Sequence, residues 1–333
     1  MTITKFTLTH VASNPAIIWD VAELVKGSIK WETDIEFAAG ALSFSIYVGN
    51  NDYSRGFHPS NGDIVDFHWD NKKVFYGRVF KVSTDEKEIF QVTAYDNLRY
   101  LKGEDALVFP VSTARQRFER IMKICQLPYK VVSDTTYKVK AEVCDGDTYF
   151  NMMKKAIEDI KKATGNEYFL RTNYNVVEFA QTTATRTKLL IDENSTMTSW
   201  SFDFSADELY NVVKVVKTDS ESKSFTSSTA AWQDSIHRYG RLSKVEKAET
   251  DMNQAQMDAK ANQLLRELSN ETNELTLEAI GTLNVRAGNR FFFSINSNFL
   301  KDLIKNEHEV LAKSVTHVFD EASWTMQIKA RLL

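Results

Sequence analysis

The stretch GDIVDFHWDNKKVFYGRV, Gly62–Val79, decides the fold class. Gly62-Asp63 opens it, and two runs rich in β-branched and aromatic residues then flank the polar turn Asp70-Asn71-Lys72-Lys73, as in a β-hairpin. A second hairpin follows at once. Arg78 to Val82 leads into the charged turn Asp85-Glu86-Lys87-Glu88, and Phe90, Val92 and Ala94 return on one face. Upstream, Leu42, Phe44, Ile46 and Val48 alternate with polar or small residues, so that strand has one apolar face. Residues 1–105 therefore read as a small β-barrel or sandwich of short strands.

After Pro110 the period changes. Phe118, Ile121, Met122 and Cys125 recur at helical spacing, predicting a helix from near Ser112 to just before Pro128. A second helix carries Tyr149, Met153, Ala156, Ile157 and Ile160 on one side and stops at Gly165. Strands around Tyr168–Leu170 and Val176–Phe179 complete an α/β segment over residues 106–195. Residues 196–333 return to strand patterning, beginning with Trp200, Phe202 and Phe204. Within this third part, residues 218–229 hold eight Ser or Thr in twelve with no apolar period, which predicts a mobile loop or an insertion. A helix over 251–268 buries Met257, Ala261, Leu264, Leu265 and Leu268. The fold class is thus α+β, mostly β: two β-barrel domains flank an α/β insert.

The outer thirds share an order of parts. Gly62-Asp63 and Gly288-Asn289 each enter an aromatic strand, and each unit ends in a hairpin with Asp-Glu in its turn, Asp85-Glu86 and Asp320-Glu321. Gly permits the positive φ such tight entries need, so these steps read as strand entries rather than ligand loops. Two look-alike barrels per chain, in a trimer, would set six similar units around one axis.

Composition narrows function. With 43% hydrophobic residues the chain can build packed cores. A net charge of −4 argues against a dedicated nucleic-acid binder, which needs a basic face to displace counterions, though it leaves room for a local basic lining in an assembled ring; specific nucleic-acid binding is not expected. The N-terminus lacks a basic-then-apolar leader, and no apolar run nears the ~18 residues that cross a bilayer, so no membrane insertion is expected either. Cys125 and Cys144 are too few for a disulfide framework or zinc site. Phosphate-loop, nucleophile-elbow and zincin patterns are missing. Asp66, His68 and Asp70 are the best candidate constellation, since strand alternation puts them on one face, offering two carboxylates and an imidazole to hold a metal or move a proton. The competing reading is a polar face opposite Val65, Phe67 and Trp69, and it is preferred. Glu158, Asp159, Lys161 and Lys162 fall on a helix's solvated side. No catalytic, cofactor-binding or metal residue is assigned, no cofactor is expected, and the chain reads as non-enzymatic.

Several segments, in order, resemble the XkdQ/YqbQ-type tail hub proteins of contractile phages and phage-tail-like bacteriocins. They include Trp19-Asp20, Ile29-Lys30-Trp31, Leu42-Ser43-Phe44 and Val74-Phe75-Tyr76-Gly77-Arg78-Val79. The most specific runs from Val92-Thr93-Ala94-Tyr95-Asp96-Asn97-Leu98 to Arg99-Tyr100-Leu101. Ser112-Thr113-Ala114, Cys125-Gln126-Leu127-Pro128 and the closing Lys313–Phe319 with Trp324-Thr325-Met326 follow. The resemblance implies a trimeric baseplate hub with two tube-like barrels, fitting a hexameric tail tube to a three-fold spike. Implied partners are the chain itself, the tube and spike proteins, and other baseplate and LysM-type tail proteins. Implied localisation is the bacterial cytoplasm during assembly, then the tail particle. Two rival readings are a tail-associated peptidoglycan hydrolase and a carbohydrate- or receptor-binding module. The first lacks its motifs. Against the second, Phe90, Trp200, Phe202, Trp324 and Met326 alternate with polar neighbours as core residues do.

Overall fold

In the first third, alternation translates directly into strands. The computed structural model describes residues 2–49, 57–219, 223–249, 252–297, 308–321 and 323–333. There the N-terminal module supplies β1 (Ile3–His10), β2 (Ile17–Asp20), β3 (Ile29–Asp34), β4 (Ala41–Tyr47), β5 (Ile64–Trp69), β6 (Lys72–Thr84) and β7 (Ile89–Tyr95). In β4, Leu42, Phe44 and Ile46 are buried and the residues between them are not. The β5–β6 turn is tighter than four residues: Asp70 and Asn71 both take positive φ, and Trp69 faces Lys72 across it. Asn and Asp tolerate that conformation, which matches the twist of a two-residue hairpin.

The two outer thirds do not form separate sheets. His308–Phe319 pairs antiparallel with β3, from Ser314 opposite Asp34 to Phe319 opposite Ile29. The strand order runs Met197–Ser205, Thr272–Ile280, Trp324–Leu332, His308–Phe319, β3, β4, β7, β6, β5, β1, β2. Arg186–Asp192 and Arg290–Ser294 join off this path through His308–Phe319, so among the described residues one thirteen-stranded sheet results, and its path does not close into a barrel. The pairing removes two strand edges that would otherwise face solvent. It also lets Ile29, Trp31, Phe319 and Trp324 share one core with Phe6, Phe44 and Phe67.

The middle segment packs α1 (Ala114–Ile124) and α2 (Tyr149–Thr164) against the hairpin of Tyr168–Asn173 and Val176–Gln181. Thr113 and Gln116 form a reciprocal capping box on α1, so the helix starts at Ala114 rather than at Ser112. Gly165, at φ +73°, ends α2 in the left-handed cap its position predicts.

Residues 202–274 form a second compact unit, distinct from that of 1–201 with 275–333. In it Val212–Asp219 lies between Ser224–Ala231, antiparallel, and Ser243–Lys247, parallel. Helix α3 (Gln233–Tyr239) follows the first hairpin, and α4 (Gln254–Leu268) packs Met257 and Ala261 onto Val215 and Ala230. The Ser/Thr-rich stretch is therefore largely a strand and not a loop. Its inward positions are small, Ser228 and Ala230, so the burial leaves no apolar period to read. Of the stretch read as loop, residues 220–222 lie outside the described residues, as does 251 at the start of the third predicted helix, which begins at Gln254 under an Asn253 cap.

Candidate functional site

The sequence candidates separate in space. Asp66 and His68 do share a face of β5, and His68 Nε2 lies 3.0 Å from an Asp66 oxygen. Asp70 does not join them: it sits in the hairpin turn, where its carboxylate accepts the Thr2 amide at 2.9 Å. A left-handed residue leaves the strand's alternation, so its side chain no longer follows that of positions 66 and 68. Asp66 is instead closed off by protein groups. Lys5 Nζ pairs with one oxygen and the Tyr174 hydroxyl donates to the other at 2.6 Å. Burial pushes the carboxyl of Asp66 up, but Lys5, Tyr174 and His68 together hold it below the ordinary range.

Tyr174 belongs to the turn between Tyr168–Asn173 and Val176–Gln181, and that turn is a plug. Beside the Tyr174–Asp66 bond, Asn97 Nδ2 donates to the Asn175 carbonyl at 2.7 Å, and Arg286 donates to Asn173 Oδ1 at 3.3 Å. The N-terminal module, the middle hairpin and the C-terminal loop thus meet at three consecutive residues. Asp96, one position before Asn97, is buried and caps the 3-10 helix Asn97–Lys102 by accepting the Leu98 amide at 2.9 Å. Burial raises its carboxyl to about 7. Nothing in the pattern of the chain marked Asp96 or Tyr174 as buried polar contacts; only Asp96 fell in a stretch with family resemblance.

His317 is the second buried titratable group. The Trp324 indole N–H donates to its Nδ1 at 3.2 Å, so its other nitrogen, Nε2, carries the proton and donates to the Val285 carbonyl at 3.0 Å. Burial, helped by the charge of Arg286 and opposed by the Val285 hydrogen bond, lowers the imidazole to about 4. It is a neutral core group stacked on Trp31, with both nitrogens occupied.

Two arrangements look chemical and prove structural. His10 Nδ1 lies 2.8 Å from buried Asp63, the orientation a carboxylate gives a catalytic imidazole. The same Asp63, however, staples its own turn, and Asn289 repeats the pattern. Asp63 accepts the Ser60 amide at 2.9 Å, as Asn289 accepts the Arg286 amide at 3.1 Å. Gly62 N donates to Val79 O while Val79 N donates to Asp63 O; Gly288 N donates to Ala312 O while Ala312 N donates to Asn289 O. Gly62 and Gly288 both take positive φ, +95° and +84°. After each step come three antiparallel strands in succession, β5–β6–β7 and Arg290–Ser294, His308–Phe319, Trp324–Leu332. The other arrangement is Glu142, Cys144 and Asp147, whose ligand atoms cluster within 4.8 Å. Lys155 lies 2.6 Å from Asp147, and Arg117, buried on α1, lies 2.6 Å from Glu142, so cations of the chain already occupy the carboxylates.

The aromatics divide. Trp324 and Met326 are buried as expected, but Phe90, Trp200 and Phe202 are only partly covered and Phe204 is exposed. The site that emerges is a locked junction of three segments carrying a twice-used strand-entry motif.

A family described as YQBQ-like matches residues 29–331. The phage-like element PBSX protein XkdQ of Bacillus subtilis is 28% identical over 276 residues, 82% of this chain and 84% of that protein. Among solved structures, the prophage MuSo2 43 kDa tail protein from Shewanella oneidensis superposes with a TM-score of 0.67 at 11% identity, covering 98% of each chain. The E. coli c3393 protein, a type VI secretion component with structural similarity to the T4 tail proteins gp27 and gp5, superposes at 0.55 with 10% identity, covering 93% of this chain and 74% of that one. The fold is that of phage tail proteins.

Proposed function

The chain belongs to the YQBQ-like family, and from that premise we propose that it is the baseplate hub of a contractile phage tail or tail-like bacteriocin. Three copies form a ring in which the modules of residues 1–105 and 196–333 act as tube-like units, with 106–195 as the α/β insert. The likeness to the MuSo2 tail protein over 98% of both chains carries this reading. The repeated strand entry at Gly62-Asp63 and Gly288-Asn289 supports its geometry, because two equivalent modules per chain turn a three-fold ring into six near-equivalent positions. One face of the ring then meets a hexameric tail tube and the other a three-fold spike, with other baseplate and LysM-type proteins alongside. The chain works by assembly and not by catalysis: Asp66, Asp96 and His317 are held by neighbours of the fold.

The test is native mass measurement of the purified protein with its tube and spike partners, together with electron microscopy of tail particles. Three copies at the junction of tube and spike are expected. A stoichiometry other than three there would refute the ring.

A further inference from the structure

The 202–274 unit contains an open cleft of about 410 Å³. Its wall is α3, preceded by Trp232, a residue 44% exposed. Asp234, Arg238 and Tyr239 project from the same helix, and Glu271 and Asn273 line the opposite side. The Tyr239 hydroxyl donates to Glu271, Arg238 lies 3.6 Å from that carboxylate, and its guanidinium stacks over the Tyr239 ring at 4.8 Å.

The cleft is held rigid from beneath. Asn211 is fully buried; its amide donates to Ser235 Oγ and the Gly240 carbonyl, and its oxygen accepts the Leu242 amide. Its own carbonyl accepts the Trp232 amide at 3.0 Å. Both ends of α3 are thereby fixed before any ligand arrives, which spares a ligand the ordering cost.

The chemistry of the lining selects the ligand. The volume lies within the ~300–1,000 Å³ usual for small-molecule sites. An aromatic platform beside carboxylate, amide and guanidinium groups suits a molecule with one apolar face and many hydroxyls. A lipid would strip water from the Asp234 carboxylate and the Asn273 amide without replacing its hydrogen bonds, at the cost of their desolvation. Asp234 and Glu271 against Arg238 leave one negative charge in excess, which disfavours a polyanion. We propose that this cleft binds an uncharged saccharide, with a pyranose face stacked on Trp232 and its hydroxyls on Asp234, Asn273 and the Arg238–Glu271 pair. The proposal is independent of the hub reading, since it concerns one unit of a single chain.

The full chain is titrated by calorimetry with chitotriose, maltotriose and cellotriose. At least one binds saturably, with a Kd on the order of 1 mM. Trp232→Ala weakens it by about tenfold or more, and Asn273→Ala, on the exposed rim, weakens it several-fold, both with the urea midpoint unchanged. Absence of saturable heat with all three sugars overturns the proposal. So does wild-type affinity in both variants. A Trp232→Ala chain that keeps sugar binding but fails to enter tail particles also overturns it, and gives the surface to a protein neighbour.

Discussion

Asp96 and His317 bury two titratable groups with opposite demands on pH. Asp96 keeps its proton in the fold up to about 7, against an ordinary 3.8. Its contribution to stability is complete below 3.8 and is lost as pH rises through 7. His317 refuses a proton in the fold down to about 4, against an ordinary 6.5, so its contribution is complete above 6.5 and is lost as pH falls through 4. Between about pH 4 and 6.5 the two slopes oppose and nearly cancel. Asp96→Asn keeps a capping side chain but should leave a stability that climbs with pH, by up to about 1.4 kcal/mol per pH unit. His317→Gln should leave one that falls at a similar rate. Urea unfolding at three pH values checks both; parallel profiles for wild type and variants would reject the assignment. Little of this was readable beforehand. Asp96 and His317 stand in stretches with family resemblance, but burial depends on Gly40, Val285 and Trp324 arriving from elsewhere in the chain.

At the scale of elements, what the chain repeats locally can be read, and what depends on a distant partner cannot. The hairpins around Asp70-Asn71 and Asp85-Glu86 and the helices α1 and α2 follow from period and caps alone. The strand Ser224–Ala231 does not, because Ser228 and Ala230 leave no apolar signal at its buried positions. Arg117 likewise sits fully buried on the apolar side of α1, where a cation is counter to pattern until Glu142 is seen beside it. The two strand entries give an element-scale prediction. A Cβ on Gly62 meets open space, whereas one on Gly288 would lie 2.0 Å from the Phe169 ring. Gly62→Ala should cost about 1 kcal/mol from its positive φ alone. Gly288→Ala should cost about 1–3 kcal/mol more, since the ring must also move. Equal losses in chemical denaturation would mean that the second entry is not tightly packed.

For the whole molecule, the decisive pairing joins residues 29–34 to 314–319, nearly the full length of the chain apart. No local pattern reveals such a partner, which is why two separate barrels were the natural expectation and one continuous sheet is the result. Met197–Ser205 and Thr272–Ile280, by contrast, are neighbours in that sheet. Replacing residues 206–271 with a short Gly-Ser turn should therefore leave the remaining chain folded, with its thermal transition within about 4 °C of its position in the parent. A chain that no longer melts cooperatively would show that the excised part is needed for the rest to fold.

Adjacent strands at the point of insertion carry an evolutionary consequence. A segment that leaves and re-enters a scaffold between two touching strands can be exchanged for another without renegotiating the scaffold's own pairing. Related particles can then diversify what they carry at this position while the machinery around it stays interchangeable.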